Sequence, residues 1–185
     1  MKNLEQELKL RLDERSYGLL SQLTEQPSVL QINHYFQPLP QDVMVRIRER
    51  QGVYTLCFKR RLSDSEGIAV CEEKECELQR DYAETLLSRG ITPQEINSML
   101  GTDFTIPLTP AGEMKTYRTK FQAGQWTLEL DKNVYLGKTD YELECESGDA
   151  SALLQLKNWL SFNYMVQPVP SSPKSQRFFE ALNEI

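Results

Sequence analysis

Charged residues alternate with mostly apolar residues in seven segments of this sequence. At the start of the chain, Glu5, Glu7, Lys9 and Arg11 occupy every second position, with leucines at most positions between them. Alternate side chains of a strand point to opposite faces, so each segment would carry one charged row. The acids of these rows are Glu5, Glu7, Glu73, Glu75, Glu77, Glu129, Asp131, Glu142, Glu144 and Glu146. The bases are Lys9, Arg11, Arg46, Arg48, Arg50, Lys59, Arg61, Arg118 and Lys120. Arginine dominates the bases, and its forked guanidinium suits phosphate or carboxylate.

Eight predicted strands would position these rows. They cover roughly residues 3–12, 30–37, 43–50, 53–61, 68–78, 114–122, 125–131 and 140–146. Helices are predicted over 13–26, 79–89 and 150–163, and from Ser172 toward Ile185. A further short helix begins at Thr92-Pro93-Gln94-Glu95, which has the pattern of a capping box, and stops at Gly101. The order of elements predicts an α+β fold with an eight-stranded antiparallel β-barrel.

Two barrels fit the alternation. In one, the apolar faces point inward and the charged faces are wet. In the other, the charged faces line a water-filled lumen and helices cover the apolar outside. The predicted helices carry apolar stripes, such as Leu153, Leu156 and Leu160, that need a surface to cover. This favours the inverted barrel.

Bulk composition restricts the class of protein. The 185 residues suit one domain, over 1–185, and the formal charge of −6 argues against a protein that coats nucleic acid. No apolar run approaches the roughly 18–20 residues of a membrane span, and the charged N-terminus does not resemble a secretory signal. The four cysteines show no CxxC spacing, so reduced thiols in a cytoplasm are expected.

Eight short motifs, taken in order, resemble the CYTH superfamily, the triphosphate tunnel metalloenzymes. Glu5-x-Glu7-x-Lys9 resembles its ExExK signature. The later motifs are NHYF (33–36), VRIRER (45–50), YTLCFKRR (54–61), EKECEL (73–78), YRTKF (117–121), LELD (128–131) and YELECE (141–146). The resemblance covers essentially the whole chain and is nearest to the small single-domain bacterial members.

The resemblance implies hydrolysis of a triphosphate inside a closed β-tunnel, with Mg²⁺ or Mn²⁺ as cofactor. The implied metal ligands are Glu5, Glu7, Glu142 and Glu144. The implied phosphate-binding residues are Lys9, Arg46, Arg48, Lys59, Arg61, Arg118 and Lys120. Lys9 and Lys59 are candidates for the ends of the phosphate chain, and Glu146, Glu129 or Asp131 for positioning the attacking water.

Two other functions are compatible with the same residues. One is an adenylate cyclase of the same fold, and the other is a non-catalytic binder of polyphosphate or nucleotides. The acids at Glu5, Glu7, Glu142 and Glu144 favour catalysis, because a pure anion binder gains nothing from acids unless metal is present. Glu73, Glu75 and Glu77 are open to two interpretations, as counter-ions of the arginines or as metal ligands.

Overall fold

The computed structural model describes the backbone of residues 3–65, 68–167 and 169–185, and the side chains of residues 6–63, 68–167 and 169–185. The longer strands in these ranges are β1 (Asn3–Leu12), β2 (Val29–Gln37), β3 (Val43–Arg50), β4 (Val53–Ser65), β5 (Ile68–Leu78), β6 (Thr109–Ala123), β7 (Trp126–Tyr135) and β8 (Lys138–Glu146). The helices are α1 (Glu14–Ser21), α2 (Arg80–Arg89), α3 (Pro93–Leu100), α4 (Ala150–Tyr164) and α5 (Lys174–Leu182). A two-residue strand, β9 (Val169–Pro170), pairs with β1. None of these helices is both long enough and apolar enough to cross a membrane.

The eight longer strands form one closed antiparallel barrel. Around the ring the order is β1-β5-β4-β3-β2-β6-β7-β8, and β8 returns to β1. The closure is visible at Glu7 of β1, which lies opposite Ala69 of β5 on one side and Glu146 of β8 on the other. The predicted eight-stranded antiparallel barrel is therefore confirmed.

The apolar faces of the strands lie on the outside of the barrel, beneath helices. On one side, Leu130 of β7 is fully buried in a cluster with Leu156 of α4. On another side, Leu56 of β4 is fully buried in a cluster with Leu86 of α2. Because helices remove these faces from water, the opposite, charged parity is left for the lumen. The inverted arrangement is confirmed.

Helix α5 closes one end of the barrel instead of covering its side. Its Phe178 is fully buried and packs on Tyr35 of the lumen wall, with 5.0 Å between the ring centroids. Gly112 permits this approach, because a Cβ at that position would lie 2.9 Å from Phe178 Cζ, and its φ of +139° disfavours other residues. The N-terminal turn of α5 consequently reaches into the lumen.

Several elements differ in length from their predicted bounds. The capping box at Thr92 and Glu95 is present, but α1 ends at Ser21 instead of residue 26. Strand β6 starts at Thr109, five residues before the predicted start at 114, and pairs there with β2. Pro110 and Gly112 have low strand propensity, and long-range pairing with β2, across a bulge at Ala111 of β6, overrides it.

Two leucines of α4 test which helix face covers the barrel. Leu156 is fully buried and Leu154 is 39% exposed. We expect Leu156→Ala to lower the free energy of unfolding by about 2–5 kcal/mol, the usual range for a buried Leu→Ala change. The matched change Leu154→Ala should cost less than about 1 kcal/mol. Urea denaturation measures both, and equal losses would contradict this packing.

Candidate functional site

The lumen holds a cavity of about 660 Å³ lined by side chains from all eight longer strands and from α5. Ten of the twelve predicted site residues line it: Glu7, Lys9, Arg46, Arg48, Lys59, Arg61, Arg118, Lys120, Glu144 and Glu146. Glu142 is not part of the lining, and the side chain of Glu5 lies outside the described residues. Charged side chains that are distant in sequence therefore line one water-accessible cavity.

Two lysines share one carboxylate in the middle of the lumen. Lys9 Nζ lies 3.0 Å and Lys59 Nζ 2.7 Å from Glu7 Oε1. Lys59 also contacts Glu73, and Lys9 Nζ lies 3.5 Å from Glu144 Oε1. Burial alone would raise the pKa of Glu7, but the charges of Lys9 and Lys59 lower it below its ordinary value. Glu7 is therefore an anion held between two cations.

Glu146 lies among other acids at the exposed end of β8. No ion pair to its carboxylate is found among the described side chains, and the residue is exposed. Burial of part of the side chain, followed by the negative charges of Glu129, Glu7, Glu144 and Glu73, raises the pKa of Glu146. Such a group of like charges would be neutralised by a bound cation.

A second acidic group, Asp131, Glu142 and Glu144, already contains a cation. Carboxylate oxygens of the three residues lie within 4.8 Å of one another. Lys174 Nζ, from α5, lies 2.9 Å from Asp131 Oδ2, 2.6 Å from Glu142 Oε2 and 2.7 Å from Glu144 Oε1. Arg177 Nη2 lies 3.0 Å from Glu142 Oε2. Glu142 therefore lies beside Glu144, another predicted metal ligand, but it is paired with Lys174 and Arg177 of α5 and does not line the cavity.

Arg118 joins the acids of β7 and β8. Its Nε donates to Asp131 Oδ1 at 2.8 Å, and its terminal nitrogens contact Glu129 and Glu144. Burial would lower the pKa of Arg118, but the neighbouring carboxylates raise it well above its ordinary value. Lys120 Nζ lies 2.8 Å from Glu129 Oε1, nearer solvent. Asp131 is fully buried and acts as a counter-ion of Arg118 and Lys174.

Strands β3 and β4 supply a basic wall to the cavity. Its members are Arg46, Arg48, Arg50, Lys59 and Arg61. Arg48 Nη1 lies 3.8 Å from Glu75 Oε1, and Lys59 contacts Glu73. In this structure Glu73 and Glu75 are counter-ions of the basic wall, one of the two interpretations that the sequence allowed. Glu77 is exposed and does not line the cavity.

The carboxylates that face the lumen fit a hard divalent cation. Glu7, Glu144 and Glu146 line the cavity. Burial, followed by the charges of Glu129, Glu7, Glu144 and Glu73, raises the pKa of Glu146. Mg²⁺ and Mn²⁺ prefer such oxygen ligands together with water and phosphate oxygens. Lys174 supplies positive charge at Asp131, at Glu142 and at one oxygen of Glu144.

Lys174 and Arg177 are lumen residues that strand alternation does not predict. They lie three positions apart on α5, on the same buried face as Phe178 and Ala181. Basic residues on the apolar face of a terminal helix are the signal that could have identified them. Both are less than a tenth exposed, with acids as partners.

The fold and its lining define a β-tunnel domain with a charged lumen. The CYTH domain model matches residues 3–177, and the chain belongs to this family. YjbK of Bacillus subtilis (strain 168), described as a candidate triphosphatase, is 26% identical over 165 residues, which are 86% of this chain and 84% of YjbK.

Solved structures share the tunnel fold. A candidate adenylate cyclase of Bacillus halodurans superimposes with a TM-score of 0.76 at 26% identity, covering 96% of this chain and 98% of that protein. HpAC1 of Hippeastrum superimposes with a TM-score of 0.77 at 23% identity, covering 95% of each chain. HpAC1 is described as an adenylyl cyclase candidate whose dominant activity is that of a triphosphatase.

Proposed function

We propose that this protein is a divalent-metal-dependent hydrolase of a triphosphate bound in the tunnel. The observation that carries the proposal is the cavity of about 660 Å³, into which all eight strands direct charged or polar groups. Basic side chains line it on several sides, as a linear polyanion requires, and lumen-facing acids suit a metal. The relation to YjbK, described as a candidate triphosphatase, supports the same reaction class.

Glu7 and Glu144 would hold the Mg²⁺ or Mn²⁺ ion, together with Glu5, whose side chain lies outside the described residues. Glu142, which the resemblance also assigns to the metal, is paired with Lys174 and Arg177 in this structure, and its part in metal binding stays a prediction. When bound, the metal neutralises charge on phosphate oxygens and so assists attack at phosphorus.

The basic residues bind and orient the phosphate chain. Lys9 and Lys59, which share Glu7, contact the ends of the chain, and Arg46, Arg48, Arg61, Arg118 and Lys120 surround it. Their charges stabilise the oxygens of the transferred and leaving groups. Glu146, which lines the cavity and has no ion-pair partner among the described side chains, positions the attacking water and accepts its proton.

The lining supports a compact substrate over a nucleotide that must be cyclised. Tyr35 is the one aromatic residue among the described lining residues, and it lies at the end closed by α5. The tunnel wall therefore offers little aromatic surface on which a base can stack. The lining therefore favours hydrolysis over cyclisation. The substrate would be inorganic tripolyphosphate, or an organic triphosphate whose organic part stays outside the tunnel.

Phosphate release tests the proposal. The wild-type protein and Glu5→Gln are incubated with tripolyphosphate, ATP or thiamine triphosphate, each with Mg²⁺, Mn²⁺ or chelator. We expect wild-type release from at least one substrate, lost in chelator and reduced at least about tenfold by Glu5→Gln. Release that is indifferent to chelator and to Glu5→Gln would refute the metal hypothesis. Saturable binding without release would support the non-catalytic binder instead.

A further inference from the structure

Two buried polar atoms on neighbouring strands of the tunnel wall lack hydrogen-bond partners. Asn33 of β2 is 2% exposed, and no described residue donates to its Oδ1. Arg48 of β3 has a buried Nε–H that finds no acceptor in the same parts of the chain. A third such atom, Arg46 Nε of β3, lies on the same wall, but the register partner of Arg46 is Tyr35 and not an amide. Because buried polar atoms in folded proteins are nearly always paired, an unpaired acceptor and an unpaired donor on directly opposed residues require an explanation.

The two residues are direct cross-strand partners. The antiparallel register of β2 and β3 sets Asn33 opposite Arg48, and both line the cavity. Cβ atoms of such partners on one face are roughly 4.5–5.5 Å apart, well within the reach of these side chains. Asn33 Oδ1 lacks a hydrogen-bond donor, and the Nε–H of its neighbour Arg48 lacks an acceptor.

Arg48 is turned toward an acid. Its Nη1 lies 3.8 Å from Glu75 Oε1, at the long end of ion-pair distances, and the two side chains are 25% and 45% exposed. An ion pair of this length and exposure is weak. A polyanion in the lumen would compete with Glu75 for the guanidinium, and the Nε–H, which is nearest the backbone, would remain beside β2.

We propose that Asn33 is a positioning residue for Arg48. When a triphosphate occupies the tunnel, Arg48 Nε–H donates to Asn33 Oδ1, and the two terminal nitrogens of the guanidinium face the phosphate oxygens. A planar guanidinium fixed at Nε presents its remaining donors in one defined direction. The inference rests on the proposed function, since it assigns a partner to a residue that binds phosphate.

A neutral amide suits this role better than a carboxylate does. Glu75 orients Arg48 but also neutralises its charge, whereas Asn33 orients it and leaves the charge for the substrate. The hydrogen bond would pair two buried atoms that have no partner among the described residues, so its formation would favour the substrate-bound conformation of Arg48.

A double-mutant cycle on binding of inorganic tripolyphosphate tests the proposal. Calorimetric titration in chelator is applied to the wild type, Asn33→Leu, Arg48→Met and the double variant. We expect Asn33→Leu to weaken binding about tenfold, equivalent to about 1.4 kcal/mol, when Arg48 is present. In the Arg48→Met background the same change should alter affinity less than about twofold, because coupled residues are non-additive.

Gln31→Leu is the matched control. Gln31 is the preceding lumen-facing residue of β2, a buried amide whose register partner is Arg50. Its effect should be the same in both Arg48 backgrounds. Asn33→Thr, which keeps an oxygen acceptor, should bind tripolyphosphate more tightly than Asn33→Leu does. If Asn33→Leu does not fold, Asn33→Ala replaces it in the cycle.

Each result supports or overturns the proposal. Equal weakening by Asn33→Leu in both backgrounds shows that Asn33 acts independently of Arg48 and overturns it. Wild-type binding without phosphate release refutes the proposed hydrolysis, while the cycle still decides the role of Asn33. A wild-type protein that binds no tripolyphosphate at millimolar concentration refutes both.

Discussion

Glu7→Gln is expected to lower kcat for metal-dependent phosphate release from tripolyphosphate by at least about 100-fold, or about 2.7 kcal/mol of activation free energy. The carboxylate lies 3.0 Å from Lys9 Nζ and 2.7 Å from Lys59 Nζ, and it belongs to the acids proposed to hold the metal. Its loss therefore removes a proposed metal ligand and the carboxylate that contacts both lysines. Initial rates at saturating substrate, over a range of Mn²⁺ concentrations, measure the effect.

Binding in chelator separates this effect from general damage to the tunnel. The variant lumen has lost one negative charge, so its metal-free affinity for tripolyphosphate should stay the same or increase. Glu77→Gln is the matched control, because it is the same acid-to-amide substitution at a residue of β5 that does not line the cavity. Its kcat should remain within about twofold of wild type. A Glu7→Gln enzyme that keeps more than a tenth of its kcat would contradict the assigned role.

Lys174→Met is expected to destabilise the fold by about 3–5 kcal/mol at pH 7.5, because it leaves buried carboxylates without their cation. Lys174 Nζ lies within 2.9 Å of oxygens of Asp131, Glu142 and Glu144, and the lysine is 7% exposed. For a chain of this length, such a loss corresponds to a fall of about 10 °C in Tm. Urea and thermal unfolding measure both quantities.

The deficit should depend on pH with a defined sign. In the wild-type protein, burial would raise the pKa of Glu144, but Lys174, Lys9 and Arg118 lower it well below its ordinary value. Glu144 therefore contributes stability that is present above its unfolded pKa and is lost as the pH falls. Without Lys174 the pKa of Glu144 rises in the folded state, and protonation of Glu144 relieves the repulsion among the three acids. The difference between variant and wild type should shrink from pH 8 toward pH 4.5.

Two further variants test this explanation of Lys174→Met. Adding Glu142→Gln removes one of the uncompensated charges, so the double variant should be more stable than Lys174→Met alone. Lys138→Met, which breaks the exposed pair with Glu184, should cost less than about 1 kcal/mol. A Lys174→Met deficit that is unchanged by pH and by Glu142→Gln would mean that lost packing, and not charge, causes it.

The faces of the strands were predictable because side-chain direction in a strand follows from sequence parity alone. Leu130 and Glu129 are neighbours in the chain, and one is buried under a helix while the other lines the cavity. The capping box at Thr92 and Glu95 was equally local, and α3 begins there as predicted. Ten of the predicted site residues consequently line one tunnel.

Parity does not determine how far along the tunnel a residue lies or which charge it meets. Glu142 and Glu146 share a face of β8, yet the first contacts Lys174 and Arg177 while the second lies among acids at the exposed end. That difference depends on where α5 enters the barrel, through contacts such as Phe178 on Tyr35.

Strand parity alone predicted strands with one apolar and one charged face, and the apolar stripes of the helices favoured a barrel with the charged faces inside. Period-two alternation and helix caps are local properties, so they can be read without knowing the fold. Only the tertiary structure decided that β1 joins β5 and β8, which side chains share the lumen, and that α5 inserts Lys174 among the acids. These contacts join residues that are distant in sequence, and their geometry depends on strand register and helix docking.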